Sequence, residues 1–281
     1  MAEQPVSSVS DTARWVAVYR AQESARPDAL FRDPFAERLA GERGRAIAAL
    51  TPRITRNGWP MVTRTKLIDD LVIASVQQDC DCVLNLAAGL DTRPYRLALP
   101  PSLLWIEADL PAMIEEKDRL LAEEKPVCRL ARKQVDLTDA DARSALLDGV
   151  AGSAKKALVI TEGLLIYLDE SEVRSIAQDI ASRKSLHWWM LDLSSPAIVQ
   201  MMSRRMGEHL ANAPFKFGPS KGVAYFESLG WKARDIVSIF ESAGRFRRLP
   251  FFLRLFTILP QPDPRNPGKA RWSAVLRLER A

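Results

Sequence analysis

The apolar positions of the chain alternate between two periods. Near-continuous apolar runs at 83–86 and 157–161, each followed by small or acidic residues, have the pattern of strands buried on both faces of a parallel sheet. Between such runs the apolar residues recur at helical spacing. Trp15, Val18 and Tyr19 share one face, as do Leu67, Leu71 and Ala74 within 63–78. Val173, Ile176, Ala177 and Ile180 do so within 169–182, where Asp169 and Glu172 stand at the spacing of a capping box. The same reading predicts strands at 103–109, 127–135, 186–193 and near 231–234. It predicts helices at 111–124, 139–147 and 235–243 and one that starts at Ser195-Pro196. The segment 272–278 alternates as an edge or antiparallel strand does. Strands alternating with helices predict an α/β, doubly wound, Rossmann-like sheet, seven-stranded and mostly parallel.

The first 80 residues lack a strand pattern and read as a helical cap over the ligand edge of the sheet. Asp33-Pro34 supplies a helix start, with Asp as cap and Pro at the first helical position; Gly41 and Gly44 then interrupt the helix. Residues 51–60 and 213–223 are rich in Gly and Pro and read as loops, the second as a lid, and the four prolines of 260–267 exclude regular structure. The expected organisation is a single domain (1–281): a helical cap (1–80), a ligand-binding core (83–194), a helical or lid insertion (195–228) and the C-terminal end of the sheet (229–281).

Composition narrows the class. A hydrophobic fraction of 47% and a charged fraction of 27% are those of an ordinary globular protein. The net charge of +5 comes from scattered Lys and Arg without a dense run, which argues against a nucleic-acid partner. Cys80, Cys82 and Cys128 have neither zinc-ligand spacing nor a histidine cluster. No signal peptide and no membrane-length apolar run is visible, so the expectation is a cytoplasmic protein with no membrane partner.

The candidate chemistry centres on 83–109. A buried strand runs into the small residues Ala87, Ala88 and Gly89, and the next strand ends in Glu107-Ala108-Asp109-Leu110. Small turn residues admit a ligand close to the backbone, and an acid about 20 residues further on can take a ribose diol. Glu107 and Asp109 lie 18 and 20 residues past Gly89. The dinucleotide fingerprint itself is incomplete. Its three glycine positions hold Ala87, Gly89 and Thr92, which disfavours a pyrophosphate and favours a nucleoside ligand such as S-adenosylmethionine. Asp136 and Glu162 end two further strands, although either could simply cap the next helix.

The run Asn85-Leu86-Ala87-Ala88-Gly89-Leu90-Asp91-Thr92-Arg93-Pro94-Tyr95-Arg96-Leu97 closely resembles the N-L-G-A-G-x-D-T-R-x-x-R-L signature of the leucine carboxyl methyltransferase family, which includes bacterial O-methyltransferases of polyketide pathways. The resemblance extends over Ser10-Asp11-Thr12-Ala13, Arg20-Ala21-Gln22-Glu23-Ser24 and Arg32-Asp33-Pro34-Phe35. Downstream it covers Val135-Asp136-Leu137, Thr161-Glu162-Gly163-Leu164-Leu165-Ile166-Tyr167-Leu168 and Leu229-Gly230-Trp231. Ala87 departs from the family's glycine. The resemblance implies S-adenosyl-L-methionine as cofactor. Asp109 or Glu107 would hold the ribose, with Leu110 beside it, and Asp136 and Leu137 would frame the adenine. Gly89 and Ala87 would lie under the methionine part, Glu162 and Gly163 near the amino-acid end, and Arg20 and Arg64 would reach the carboxylate. Arg93 either pairs with Asp91 to fix the turn or touches a ligand.

Carboxyl-methylating members of the family resemble one another in placing Arg after the Asp-Leu pair, where Thr138 stands here. That points to a small-molecule acceptor. Tyr167 is a candidate to bond an acceptor oxygen, and His209 a candidate general base; His187, on an apolar strand, reads as structural. Met201, Met202, Met206, Phe215, Phe217, Phe251, Phe252 and Phe256 are candidates for an apolar acceptor pocket, against plain packing for each singly. The rivals are a nicotinamide-dependent oxidoreductase and a non-catalytic binding protein that keeps the fold. Oligomeric state is not legible.

Overall fold

The computed structural model describes residues 9–49, 57–206 and 214–280. Three helices precede the sheet: α1 (Val9–Ser24), α2 (Ala36–Ala49) and α3 (Trp59–Val76). α1 buries Trp15, Val18 and Tyr19 against Leu39 and Ile47 of α2. α2 is kinked at Gly41, whose φ is 58°, one of the two predicted interruptions. α3 begins four residues earlier than the pattern predicted. Pro60 sits in its first turn, where the missing N–H costs nothing, so what reads as loop punctuation is a helix start. Its buried face carries Val62, Leu67, Ile68 and Val72 rather than Leu71 and Ala74.

The alternating part runs β1 (Cys82–Leu86), α4 (Arg93–Arg96), β2 (Leu104–Asp109), α5 (Pro111–Leu120), β3 (Arg129–Gln134), α6 (Ala140–Ser153), β4 (Ala157–Thr161), α7 (Glu170–Ala181) and β5 (Leu186–Ser194). α8 (Pro196–Met206), α9 (Val223–Glu227), β6 (Trp231–Ser238), α10 (Ile239–Arg245), α11 (Phe251–Arg254) and β7 (Ser273–Arg280) complete the chain. The seven strands lie in the order β3-β2-β1-β4-β5-β7-β6. β1 to β5 are parallel, and β7 runs antiparallel between β5 and β6. The expected α/β, doubly wound, mostly parallel sheet is therefore present. β1 and β4, the two apolar runs, are buried at every residue. They flank the switch point at which the strand order reverses, and ligands of such sheets bind beyond the carboxyl ends of the strands there.

The sheet is cored on both faces. Leu84, Leu86, Val159 and Trp189 pack with α6 and α7, and Val83, Trp105, Leu158 and Met190 with α3. In the capping box of α7, the Asp169 N–H donates to Glu172 Oε2 at 2.6 Å. β6 is longer than predicted and takes in 235–238, which the pattern assigned to a helix. Ile236 and Val237 pair with Leu276 and Val275 after a register shift between Ala233 and Asp235, and Ser238 then caps α10. Among the described residues no helix is long and apolar enough to cross a membrane.

Candidate active site

A cavity of about 360 Å³ lies over β1 and β4, covered by α1 and α3. That is within the usual range for a small-molecule site, about 300–1,000 Å³. Its floor is the turn after β1. Ala87 (φ 51°) and Gly89 (φ 48°) are both left-handed there. Glycine adopts that conformation freely, whereas alanine is strained by roughly 1–2 kcal/mol. A Cβ on Gly89 would stand 3.2 Å from Ala13 Cβ, so α1 closes directly over the turn.

Of the two acids on β2, Asp109 is the one that lines the cavity. Its Oδ2 accepts from the Gly89 N–H at 2.7 Å and its Oδ1 from the Leu110 N–H at 2.8 Å. Each oxygen retains a lone pair for a ligand hydroxyl. Burial raises its carboxyl above the usual range. Glu107, the alternative, is fully buried and lies outside the cavity lining. It accepts from Lys117 Nζ and Arg132 Nε, each at 2.8 Å, and ties β2 to α5 and β3. Asp136 and Leu137 are also outside the lining. Asp136 Oδ1 accepts from the Thr138 N–H and hydroxyl, and Asp139, not Asp136, caps α6. Leu137 packs on the core beside α6.

Beside the cavity runs a chain of ion pairs, of which sequence reading offered only Arg93 with Asp91. Arg20 lies 3.2 Å from Asp33 and donates to the Leu90 carbonyl at 2.7 Å. Thr92, at the third fingerprint position, donates its hydroxyl to Asp33 at 2.7 Å, so it binds the turn to the cap. Arg96 and Arg93 share Asp69 of α3. Arg93 also pairs with Asp91 and Glu162, each at 2.8 Å, so it fixes the turn. Arg64 donates to Glu162 at 3.0 Å and to Asp192, at the end of β5, at 3.2 Å. Asp192 in turn accepts from the Gly163 N–H at 2.6 Å. Asp33 stands in the connection between α1 and α2, Asp69 on α3 and Asp192 on β5, and only the Arg-Asp-Pro-Phe run hinted at the first.

These pairs join five carboxylates to four guanidinium groups, and Asp109 adds a further negative charge. The surplus is negative, which suits a ligand of net positive charge. Burial alone raises the Asp91 and Glu162 carboxyls, but Arg93, helped by its basic neighbours, outweighs burial and holds both below the usual range. Arg20 Nε is buried at the cavity with no partner among the described residues.

Tyr167 lines the cavity, bonds Thr12 and packs on Phe215 with ring centroids 5.4 Å apart. Burial pushes its phenol up, so it stays protonated at neutral pH. Ile198, Met201, Met202 and Phe215 make an apolar side to the cavity. Phe217 is in the core, whereas Phe251, Phe252 and Phe256 are exposed on the surface, outside the cavity lining. Phe251 and Phe252 stand on α11 and Phe256 on the 3₁₀ turn that follows it. His209 and the side chain of Met206 lie outside the described residues. His187 pairs with Glu279 away from the cavity, as its structural reading expects.

Fold and site together define a Rossmann-like sheet with an acid-rich, partly apolar cavity over its switch point. The fold is shared with a DUF574 family protein from Streptomyces avermitilis (TM-score 0.54, 15% identity, 95% of this chain and 96% of that one). It is also shared with a putative methyltransferase from Thermobifida fusca (TM-score 0.56, 14% identity, 95% and 94%). The leucine carboxyl methyltransferase family model matches residues 13–181. A relative from Frankia alni is 32% identical and one from Streptomyces coelicolor 33%, each over 81% of this chain and 84% of its own; both are named putative S-adenosyl-L-methionine-dependent methyltransferases. The chain belongs to the leucine carboxyl methyltransferase family.

Proposed function

We propose that this chain is an S-adenosylmethionine-dependent O-methyltransferase whose acceptor is a small, largely apolar molecule bearing a hydroxyl or carboxylate. S-adenosylmethionine is the methyl donor of this class, and when bound it supplies a methyl group on a positively charged sulfur. The observation that carries the reading is Asp109, held on the Gly89 N–H at the floor of a cavity with an apolar far side.

Asp109 would accept from the ribose diol. Ala87 and Gly89 would lie beneath the methionine portion, and Leu110 would cover the nucleoside. Glu162 and Gly163 would face the ammonium, and Arg64 the carboxylate. Arg20 Nε, without a partner among the described residues, is a donor suited to the same carboxylate. Placing an acceptor oxygen in line with the methyl group supplies most of the acceleration in such a transfer, so the protein's work is positioning. Tyr167 would donate to the acceptor oxygen or to a group beside it. Among the described residues the cavity has no histidine.

The test is a panel of aromatic hydroxyl compounds and carboxylic acids incubated with the purified protein and methyl-labelled S-adenosylmethionine. The reading expects label on oxygen, as an alkali-labile ester or an alkali-stable ether. Label found solely on nitrogen or carbon would contradict it.

A further inference from the structure

Eight large apolar residues of the described chain are exposed, and six of them fall within nine positions: Phe251, Phe252, Leu255, Phe256, Ile258 and Leu259. They occupy α11 and the 3₁₀ turn that continues it, Leu255–Ile258. Phe251 is 81% exposed and Ile258 83%. Neither element buries any residue, so this wedge contributes nothing to the core. An apolar cluster of this kind marks an interaction surface.

The charge around it identifies the partner. Residues 242–271 carry seven basic side chains and one acid, Asp263, whereas the whole chain has a basic excess of five. Of these seven, Arg248 is spent on Glu23 and Asp28, and Arg265 on Glu227, which leaves five. Arg245, Arg247, Arg254, Lys269 and Arg271 are exposed. A second copy docked symmetrically through this face would bring two such basic surfaces together. A nucleic acid would leave the phenyl and isoleucyl side chains without an apolar partner. An anionic bilayer satisfies both features, because apolar side chains enter the acyl boundary while Arg and Lys meet the headgroups.

We infer that the wedge 251–259 docks the protein peripherally on an anionic lipid surface. The attachment needs no spanning helix and is independent of the methyltransferase reading. α10, which leads into the wedge, contributes Ile239 to the cavity wall, and its Phe240 packs edge-on against Trp59, another lining residue, with centroids 6.1 Å apart. Docking therefore places that wall beside the bilayer.

The test is co-sedimentation of the full chain with vesicles of mixed phosphatidylglycerol and phosphatidylcholine, against vesicles of phosphatidylcholine alone. Binding is expected to the anionic vesicles and to fall steeply at an ionic strength of about 1 M, where charges are screened beyond about 3 Å. Phe251→Ser combined with Ile258→Ser should lower partitioning about tenfold or more. Arg254→Ala should lower it about fivefold. Unchanged thermal unfolding of these surface variants separates lost docking from lost fold. Three results would overturn the inference: no sedimentation with anionic vesicles, equal binding to both lipids, or a dimer abolished by the Phe251/Ile258 variant in protein that ignores vesicles.

Discussion

The Gly89 N–H donates to Asp109 Oδ2 at 2.7 Å, joining the turn after β1 to the end of β2 across 20 residues of sequence. The bond holds Asp109 at the cavity floor with lone pairs to spare. Asp109→Ala should weaken S-adenosylhomocysteine binding about 10- to 100-fold, the equivalent of one charge-assisted hydrogen bond, and calorimetry reads the change directly. Glu107→Gln should leave the affinity far less affected and should lower stability, because it strips the ionised partner from buried Lys117.

Binding should also depend on pH through Asp109. Its carboxyl titrates above the usual value of about 4 because burial penalises the charge. The ionised form accepts the diol, so affinity should be full at neutral pH and fall as the pH drops through that raised value. An affinity profile that is flat between about pH 7 and pH 4 would remove Asp109 from this role.

Ala87 stands at φ 51° where the resembling signature has glycine. Ala87→Gly relieves roughly 1–2 kcal/mol of left-handed strain and returns about 0.4–1 kcal/mol of unfolded-state entropy. The net expectation is a stabilisation of up to about 1.5 kcal/mol in urea unfolding, with cofactor affinity equal or improved. A loss of stability would show that the methyl group packs usefully in the turn.

Glu162 accepts from Arg93 and Arg64 at the centre of the ion chain. Glu162→Gln should cost about 2 kcal/mol, since Arg93 keeps Asp69 and Asp91 as partners. The folded-state pKa values of Asp91 and Glu162 are lowered, so their contribution is complete above about pH 4.5 and is lost as the pH falls through the lowered values. Urea unfolding at a series of pH values should show this acid-side loss, reduced in Glu162→Gln.

The sheet was legible because β1 and β4 are short apolar runs that end in small or acidic residues. The end of β6 was not, because Ile236 and Val237 fit either period until β7 pairs with them. Glu107 and Asp109 are two positions apart on one strand, so alternation puts both on the same face. Depth separates them: Asp109 is at the strand end and Glu107 lies under Lys117 and Arg132. Arg93 was bracketed correctly between two roles. Its partners Asp69 and Glu162, like Asp192 beyond them, come together only through tertiary packing, for which the sequence has no local signal.

The central claim is a nucleoside site built on Asp109 that accepts the methyl-donor class. Calorimetric titration with S-adenosylhomocysteine, with NADH as control and Asp109→Ala alongside, tests it most directly. The account predicts micromolar binding of S-adenosylhomocysteine, no heat with NADH, and loss of the signal in the variant. Absence of S-adenosylhomocysteine binding to the folded wild-type protein, or binding unchanged by Asp109→Ala, would contradict it.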